Sequence, residues 1–74
     1  SVYPNPAKDY LLFNANTSNE IKSYRILNSL GYKVEERNIK SNRISLENIS
    51  NGVYILELLT DKSILYRKKF IVKK

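Results

Sequence analysis

Short runs rich in β-branched and aromatic residues recur roughly every ten residues along the chain, and turn-forming residues separate them. The breaks include SNG at residues 50–52 and TDKS at residues 60–63, and these residue types favour tight turns. Several runs alternate apolar with polar side chains, as a strand with one buried face does. The pattern predicts seven strands, at residues 2–3, 10–14, 21–28, 32–39, 43–47, 53–60 and 64–72.

The length of 74 residues allows a single domain, which we expect to span residues 1–74. A chain of this size buries only about 60% of the surface that its unfolded form exposes, so its core is small. Seven short strands in one small domain are typical of an immunoglobulin-like or fibronectin-like sandwich. The sequence therefore predicts an all-β fold, a small antiparallel seven-stranded β-sandwich.

Residues 20–31 allow one alternative. A helix there would be capped by Ser18 or Asn19 and would end at Gly31, but its apolar residues fit the helical period only in part. The segment is rich in β-branched and aromatic residues and has little alanine or glutamate to support a helix. We therefore expect a strand.

The residue types of the chain give little support to catalysis. Histidine and cysteine are absent, which removes the usual proton-transfer group near neutral pH and any thiolate. Only hard cations with oxygen ligands remain as candidate metals, and the alternating acidic spacing of a calcium loop is missing. Glu35 and Glu36 are adjacent, and strand neighbours point to opposite faces, so they cannot act as a pair. We expect no enzymatic activity, no metal site and no cofactor.

The positive charge of the chain is concentrated at its C-terminal end. The formal net charge is +6 at pH 7, and residues 65–74 carry five cationic residues and no acidic one. Lysines on an edge strand discourage pairing between molecules, and a cationic surface also attracts an acidic partner. Both interpretations stay open.

Nucleic-acid binding is a weaker hypothesis. Tyrosine is followed by a cationic residue at positions 24–25, 32–33 and 66–67. Strand neighbours face opposite ways, so a core tyrosine beside an exposed cation is the simpler interpretation. We expect no nucleic-acid partner, because charge alone is a weak indication.

The sequence contains no recognisable signal peptide or transmembrane segment. No apolar run approaches the roughly 18 residues of a membrane span, and the first residues lack both a basic start and an apolar stretch. The chain also has no initiator methionine. We therefore expect a fragment of a longer protein, with any export signal upstream.

Four blocks of the sequence resemble one family. They are VYPNPA at residues 2–7, ILNSLGYKV at 26–34, ISNGVYIL at 49–56 and KKFIVKK at 68–74. In order and spacing they are similar to type A C-terminal sorting domains of the type IX (Por) secretion system of Bacteroidetes. The chain departs from the family pattern at Ser29, where an apolar residue is common.

The resemblance implies a function. Such domains lie at the C-terminus of a larger secreted protein, which first reaches the periplasm by an ordinary signal peptide. An outer-membrane translocon and its shuttle protein then recognise the domain, and a cell-surface sortase commonly removes it. The cargo domain upstream is anchored to lipopolysaccharide or released. The resemblance thus implies a secreted or cell-surface protein whose sorting domain is a substrate and not a catalyst.

The resemblance also suggests roles for individual residues. The candidates for translocon docking, partly by edge pairing of the last strand, are Arg67, Lys68, Lys69, Phe70, Val72, Lys73 and Lys74. Motif residues with a mainly structural role are Tyr3, Pro4, Asn5, Pro6, Gly31, Gly52 and Tyr54. We expect the Tyr54 hydroxyl to bond backward to the backbone, as in a tyrosine corner.

The second hypothesis is a fibronectin-like adhesion or carbohydrate-binding module. Such a module needs an exposed aromatic platform or a metal-supported groove, and tryptophan is absent. An exposed coplanar pair among Tyr3, Tyr10, Tyr32 and Tyr66 would favour it.

Overall fold

The computed structural model describes residues 2–14 and 20–74, and this part of the chain contains no helix. Its strands are β1 (Val2–Tyr3), β2 (Tyr10–Phe13), β3 (Ser23–Asn28), β4 (Lys33–Asn38), β5 (Arg43–Ser45), β6 (Gly52–Leu59) and β7 (Ile64–Val72). The predicted all-β fold is confirmed, and the predicted strand ends differ from these by at most two residues.

The helical alternative for residues 20–31 is wrong, because β3 occupies the middle of that segment. Its proposed caps, Ser18 and Asn19, lie outside the described residues. Tyr24 and Ile26 are buried, and their neighbour Arg25 is half-buried on the other face. The β-branched and aromatic content therefore identified the strand correctly.

The strands form two antiparallel sheets that face each other as a sandwich. One sheet has the order β1-β2-β5 and the other β4-β3-β6-β7. Two consecutive strands, β4 and β5, therefore lie in different sheets, as do β5 and β6. This arrangement confirms the predicted seven-stranded sandwich, which is consistent with an immunoglobulin-like fold.

The core lies between the two sheets. Alternate residues of each strand point inward, and burying a large apolar side chain contributes about 1.5–3 kcal/mol. The rings of Tyr54 and Phe70 meet in this core with their centroids 5.8 Å apart. The most deeply buried apolar residues, each 2% exposed or less, are Ala7, Leu11, Phe13, Ile26, Ile44, Leu46, Leu56, Leu58, Phe70 and Val72.

Strand β7 is an edge strand with a bulge. It pairs only with β6 in its sheet, and the register shifts where Leu58 and Leu59 of β6 face Tyr66 and Ile64, so Leu65 is the extra residue. Lys68 interrupts the apolar alternation of the run at residues 64–72, a pattern that predicts a bulge or an edge position, and the edge position is confirmed. The bulge lies three residues earlier than Lys68.

Candidate functional site

The two ends of the described chain meet in space. Residues 5–7 run beside the last part of β7, where Ala7 and Val72 form a parallel bridge. The Ala7 amide donates to the Ile71 carbonyl at 2.7 Å, and the Lys73 amide donates to the Ala7 carbonyl at 2.8 Å. The Asn5 side-chain oxygen accepts the Ile71 amide at 3.0 Å. Residues 5–7, which we call the clasp, thus cover the outer edge of β7 at its C-terminal end, from Ile71 onward.

The last residue is fixed by a second set of contacts. The Lys74 amide donates to the side-chain oxygen of Asn51 at 2.8 Å. The Lys74 ammonium group donates to the Leu46 carbonyl, also at 2.8 Å. Lys74 is therefore held against the segment that connects β5 and β6, and its charge is already engaged.

Tyr54 forms the predicted tyrosine corner. Its hydroxyl donates to the Ser50 carbonyl at 2.7 Å. The Ser50 hydroxyl lies 3.2 Å from the Tyr54 hydroxyl oxygen. Gly52 has a φ of 156°, and a Cβ atom there would lie 3.4 Å from the Tyr54 ring. The turn, the ring and the Phe70 side chain thus pack as one unit at this end of the sandwich.

Replacing Tyr54 with phenylalanine should lower the free energy of unfolding by about 1 kcal/mol, the net value of a typical hydrogen bond. The ring and its packing would stay, so the loss reports on the hydroxyl alone. Equilibrium urea denaturation measures it. Tyr32→Phe is the matched control, because Tyr32 is 69% exposed; an equal loss in the control would contradict the assignment.

The candidate docking residues do not share one environment. Phe70 and Val72 are each 1% exposed and belong to the core, so they offer no surface to a partner of the folded domain. Their positions follow the strand period, which points even-numbered residues of this part of β7 inward. The family resemblance covers the terminal block as a whole and does not separate these two residues from the lysines; in the folded domain they hold β7 on the sandwich.

The cationic candidates also differ from one another. The Arg67 guanidinium contacts one oxygen of Glu57, with nitrogen–oxygen distances of 2.7 and 3.0 Å. Lys68 is half-buried, and Lys69 and Lys73 are exposed. None of these three lysines forms an ion pair within residues 2–14 and 20–74. Lys68, Lys69 and Lys73, which we call the free lysines, are therefore the available charges of the terminal segment.

Glu57 is the centre of a charged row on the outer face of the larger sheet. Arg25 of β3 and Arg67 of β7 lie directly opposite it in register, and Arg25 binds its other oxygen at 3.0 Å. The two guanidinium groups cover the carboxylate, which is only 2% exposed. Glu36 of β4 continues the row opposite Arg25. The row ties all four strands together.

The hairpin between β3 and β4 shows why Gly31 is present. Gly31 has a φ of 87°, which favours glycine. The Asn28 side-chain oxygen accepts the amides of Leu30 and Tyr32, each at 3.0 Å. The other motif residues at the start of the chain, Tyr3 and the two prolines, lie in and just after β1.

A polar groove lies where β4 and β5 diverge. It has a volume of about 680 Å³, and its lining includes Tyr24, Arg37 and Arg43. The Tyr24 hydroxyl donates to Glu35 at 2.7 Å, and burial followed by this hydrogen bond raises the pKa of Tyr24. Glu35 is thus engaged by Tyr24, and its neighbour Glu36 pairs with Lys33 at 2.7 Å.

The pKa of Tyr24 is raised in the folded state, which predicts that the domain loses stability at alkaline pH. The stabilising contribution is fully present below the unfolded pKa of about 10 and is lost as the pH rises towards the folded pKa, because only the unfolded chain then releases the proton. The difference in unfolding free energy between the native chain and Tyr24→Phe should shrink above pH 10. A difference that stays constant from pH 8 to pH 11 would contradict this prediction.

The exposed tyrosines do not stack on one another. Arg43 lies over the Tyr10 ring at 4.2 Å from its centroid, and Tyr3 is 47% exposed. Within residues 2–14 and 20–74, the ring contact is that of Tyr54 with Phe70. Over the same residues, no three acidic side chains come together as a metal site, and no helix has the length and hydrophobicity to span a membrane.

The sequence of the chain matches a known protein family. The family model described as the secretion system C-terminal sorting domain matches residues 1–73. The chain belongs to this family. The sorting domain matches no curated protein sequence at a significant level. Its family makes the chain a C-terminal sorting signal of a secretion system, consistent with the type IX assignment, and implies that the protein is exported.

Two features of the sorting domain were not identified from the sequence. Nothing local links Asn5 to Ile71, because they are far apart in the chain and meet only after both sheets form. The charged row around Glu57 is indicated in the sequence, but only weakly. A buried carboxylate in the middle of an apolar central strand needs a charged partner, and Arg25 and Arg67 lie opposite it on the two neighbouring strands.

Proposed function

We propose that this sorting domain directs its cargo across the outer membrane through the type IX translocon and its shuttle protein. Family membership makes the chain a C-terminal sorting signal. The free lysines support the proposal that the translocon and its shuttle protein recognise it. No acidic side chain of residues 2–14 and 20–74 pairs with these lysines. They lie on and just after an edge strand that the clasp and Asn51 hold in a fixed position, and such a surface favours an acidic partner.

The shape of the domain supports recognition as a folded unit. Phe70 and Val72 fix β7 in the core, so the charges of Lys69 and Lys73 stand at defined places on the outer surface. A preorganised surface loses less entropy on binding than a disordered tail does. The translocon and shuttle protein therefore read the terminal strand in place on the sandwich.

The remaining steps of the proposal concern the fate of the domain. After passage through the periplasm and the outer membrane, a cell-surface sortase removes it, and the cargo becomes secreted or attached to the surface. In this scheme the sorting domain is a substrate of the sortase and carries out no chemistry itself.

A reporter fusion tests the proposed function. A reporter with an ordinary signal peptide is joined to residues 1–74 and produced in a host that has the secretion system. We expect the reporter outside the cell, with a mass lower by that of the domain because the sortase has removed it. The same reporter without residues 1–74 should stay in the periplasm. An intact fusion found only in the periplasm would contradict the proposal.

A further inference from the structure

The outer edge of β7 is closed at one end and open at the other. The clasp engages the Ile71 amide and carbonyl and the Lys73 amide. Backbone groups of a strand alternate in direction, so those of Arg67 and Lys69 point to the same side as those of Ile71. Outside the pairing with β6, no described residue forms a backbone hydrogen bond with Arg67 or Lys69. Residues 65–69 therefore form an open edge.

The charge of the open edge restricts what can pair with it. Arg67, Lys68 and Lys69 are consecutive, no acidic residue lies among residues 65–69, and the carboxylate nearest to Arg67 is already covered. A second copy of this edge would bring like charges opposite each other, which is destabilising. An acidic strand would meet complementary charge.

The other free edge of the same sheet is different. Strand β4 carries Glu35 and Glu36 beside Lys33 and Arg37, and these charges already pair with one another. An acidic strand gains little there, because both signs are present and neutralised. The two edges of one sheet thus differ in the partner that they favour.

We propose that the open edge, residues 65–69, binds an extended acidic segment of a partner protein as an additional strand. Main-chain hydrogen bonds to Arg67 and Lys69 provide the pairing, and acidic side chains on the outer face meet the charge of Lys69. The clasp ends the added strand before Ile71. As a description of how the secretion partner docks, this inference rests on the proposed function, but the binding itself is measured without secretion.

A designed peptide tests the inference on the 74-residue chain. The probe is a blocked nine-residue peptide that alternates glutamate with threonine, and its control replaces each glutamate with lysine. We expect fluorescence anisotropy to detect binding of the acidic peptide only. Amide exchange followed by NMR should slow at Arg67 and Lys69 and stay unchanged at Glu36 and Asn38 of β4.

Two matched variants locate the site. Lys69→Glu and Lys73→Glu make the same change of charge on exposed residues of the same segment, but only Lys69 lies on the open edge. We expect at least a tenfold loss of affinity for Lys69→Glu and less than a twofold loss for Lys73→Glu, with both variants as stable as the native chain. Equal losses, protection at β4, equal binding of the two peptides or no binding would each overturn the inference.

The two proposals fail separately. A reporter that is exported normally by a domain that binds no acidic peptide would remove the inference about the open edge and leave the sorting function. A reporter retained in the periplasm by a domain that does bind the peptide would remove the sorting function and leave the edge site.

Discussion

Replacing Phe70 with alanine should lower the free energy of unfolding by about 3–5 kcal/mol, the usual cost of removing a buried aromatic side chain. Phe70 is 1% exposed, and its ring contacts that of Tyr54. A domain of this size has a total stability of about 4–11 kcal/mol, so the variant loses much of its folded population. Equilibrium denaturation monitored by circular dichroism measures the change.

The control for this prediction is its neighbour on the same strand. Lys69 is exposed and lies one residue away on the opposite face, so Lys69→Ala should change stability by less than about 0.5 kcal/mol. If Phe70→Ala kept the native stability and still abolished export, Phe70 would be a contact residue, and its assignment to the core would be wrong.

Replacing Glu57 with glutamine should cost about 2 kcal/mol. The change keeps the shape of the side chain but leaves Arg25 and Arg67 without a carboxylate, and charge-assisted hydrogen bonds are the stronger ones. The guanidinium groups are 31% and 60% exposed, so solvent compensates part of the loss. Urea denaturation gives the difference between the variant and the native chain.

Glu36→Gln is the matched control for Glu57. Glu36 lies in the same charged row opposite Arg25, but it is exposed and pairs with Lys33. We expect no measurable change of stability. Comparable losses of stability in the two variants would mean that the buried Glu57 between two arginines stabilises the domain no more than the exposed Glu36 does.

The sequence predicted the number, type and approximate ends of the strands because these depend on short-range patterns. The run at residues 53–59 is apolar on both faces apart from Glu57, and it forms the central strand β6. The tyrosine corner was also predictable, since Ser50, Gly52 and Tyr54 lie within one turn. Such features need no knowledge of distant contacts.

The parts that could not be predicted depend on distant pairing. The clasp joins residues 5–7 to the last strand, and no pattern within either segment indicates the other. The terminal block at residues 68–74 is a different case, because its strand alternation already separates two roles. Phe70 and Val72 point inward, whereas Lys69 and Lys73 point outward, and the alternation alone would have made this division.

Burial at the end of the chain also determines which export experiment is informative. Deleting residues 70–74 removes two core side chains together with the charges, so a loss of export would not distinguish misfolding from failed recognition. Charge reversal at the free lysines keeps both core side chains in place. Lys69 and Lys73 are exposed, and exposed charges contribute little to stability; Lys68 is half-buried, so urea denaturation of the variant accompanies the export measurement.

The most direct test of the central claim, that the cationic surface of the terminal strand is what the secretion machinery reads, is the amount of reporter released by two triple variants of the fusion. One carries glutamate at Lys68, Lys69 and Lys73, and the other carries glutamate at three exposed lysines elsewhere, Lys8, Lys22 and Lys62. The net charge changes equally in both. We expect the first to stay in the periplasm as a folded protein and the second to be released as the native fusion is. Normal release of the first variant, or equal retention of both, would contradict the claim.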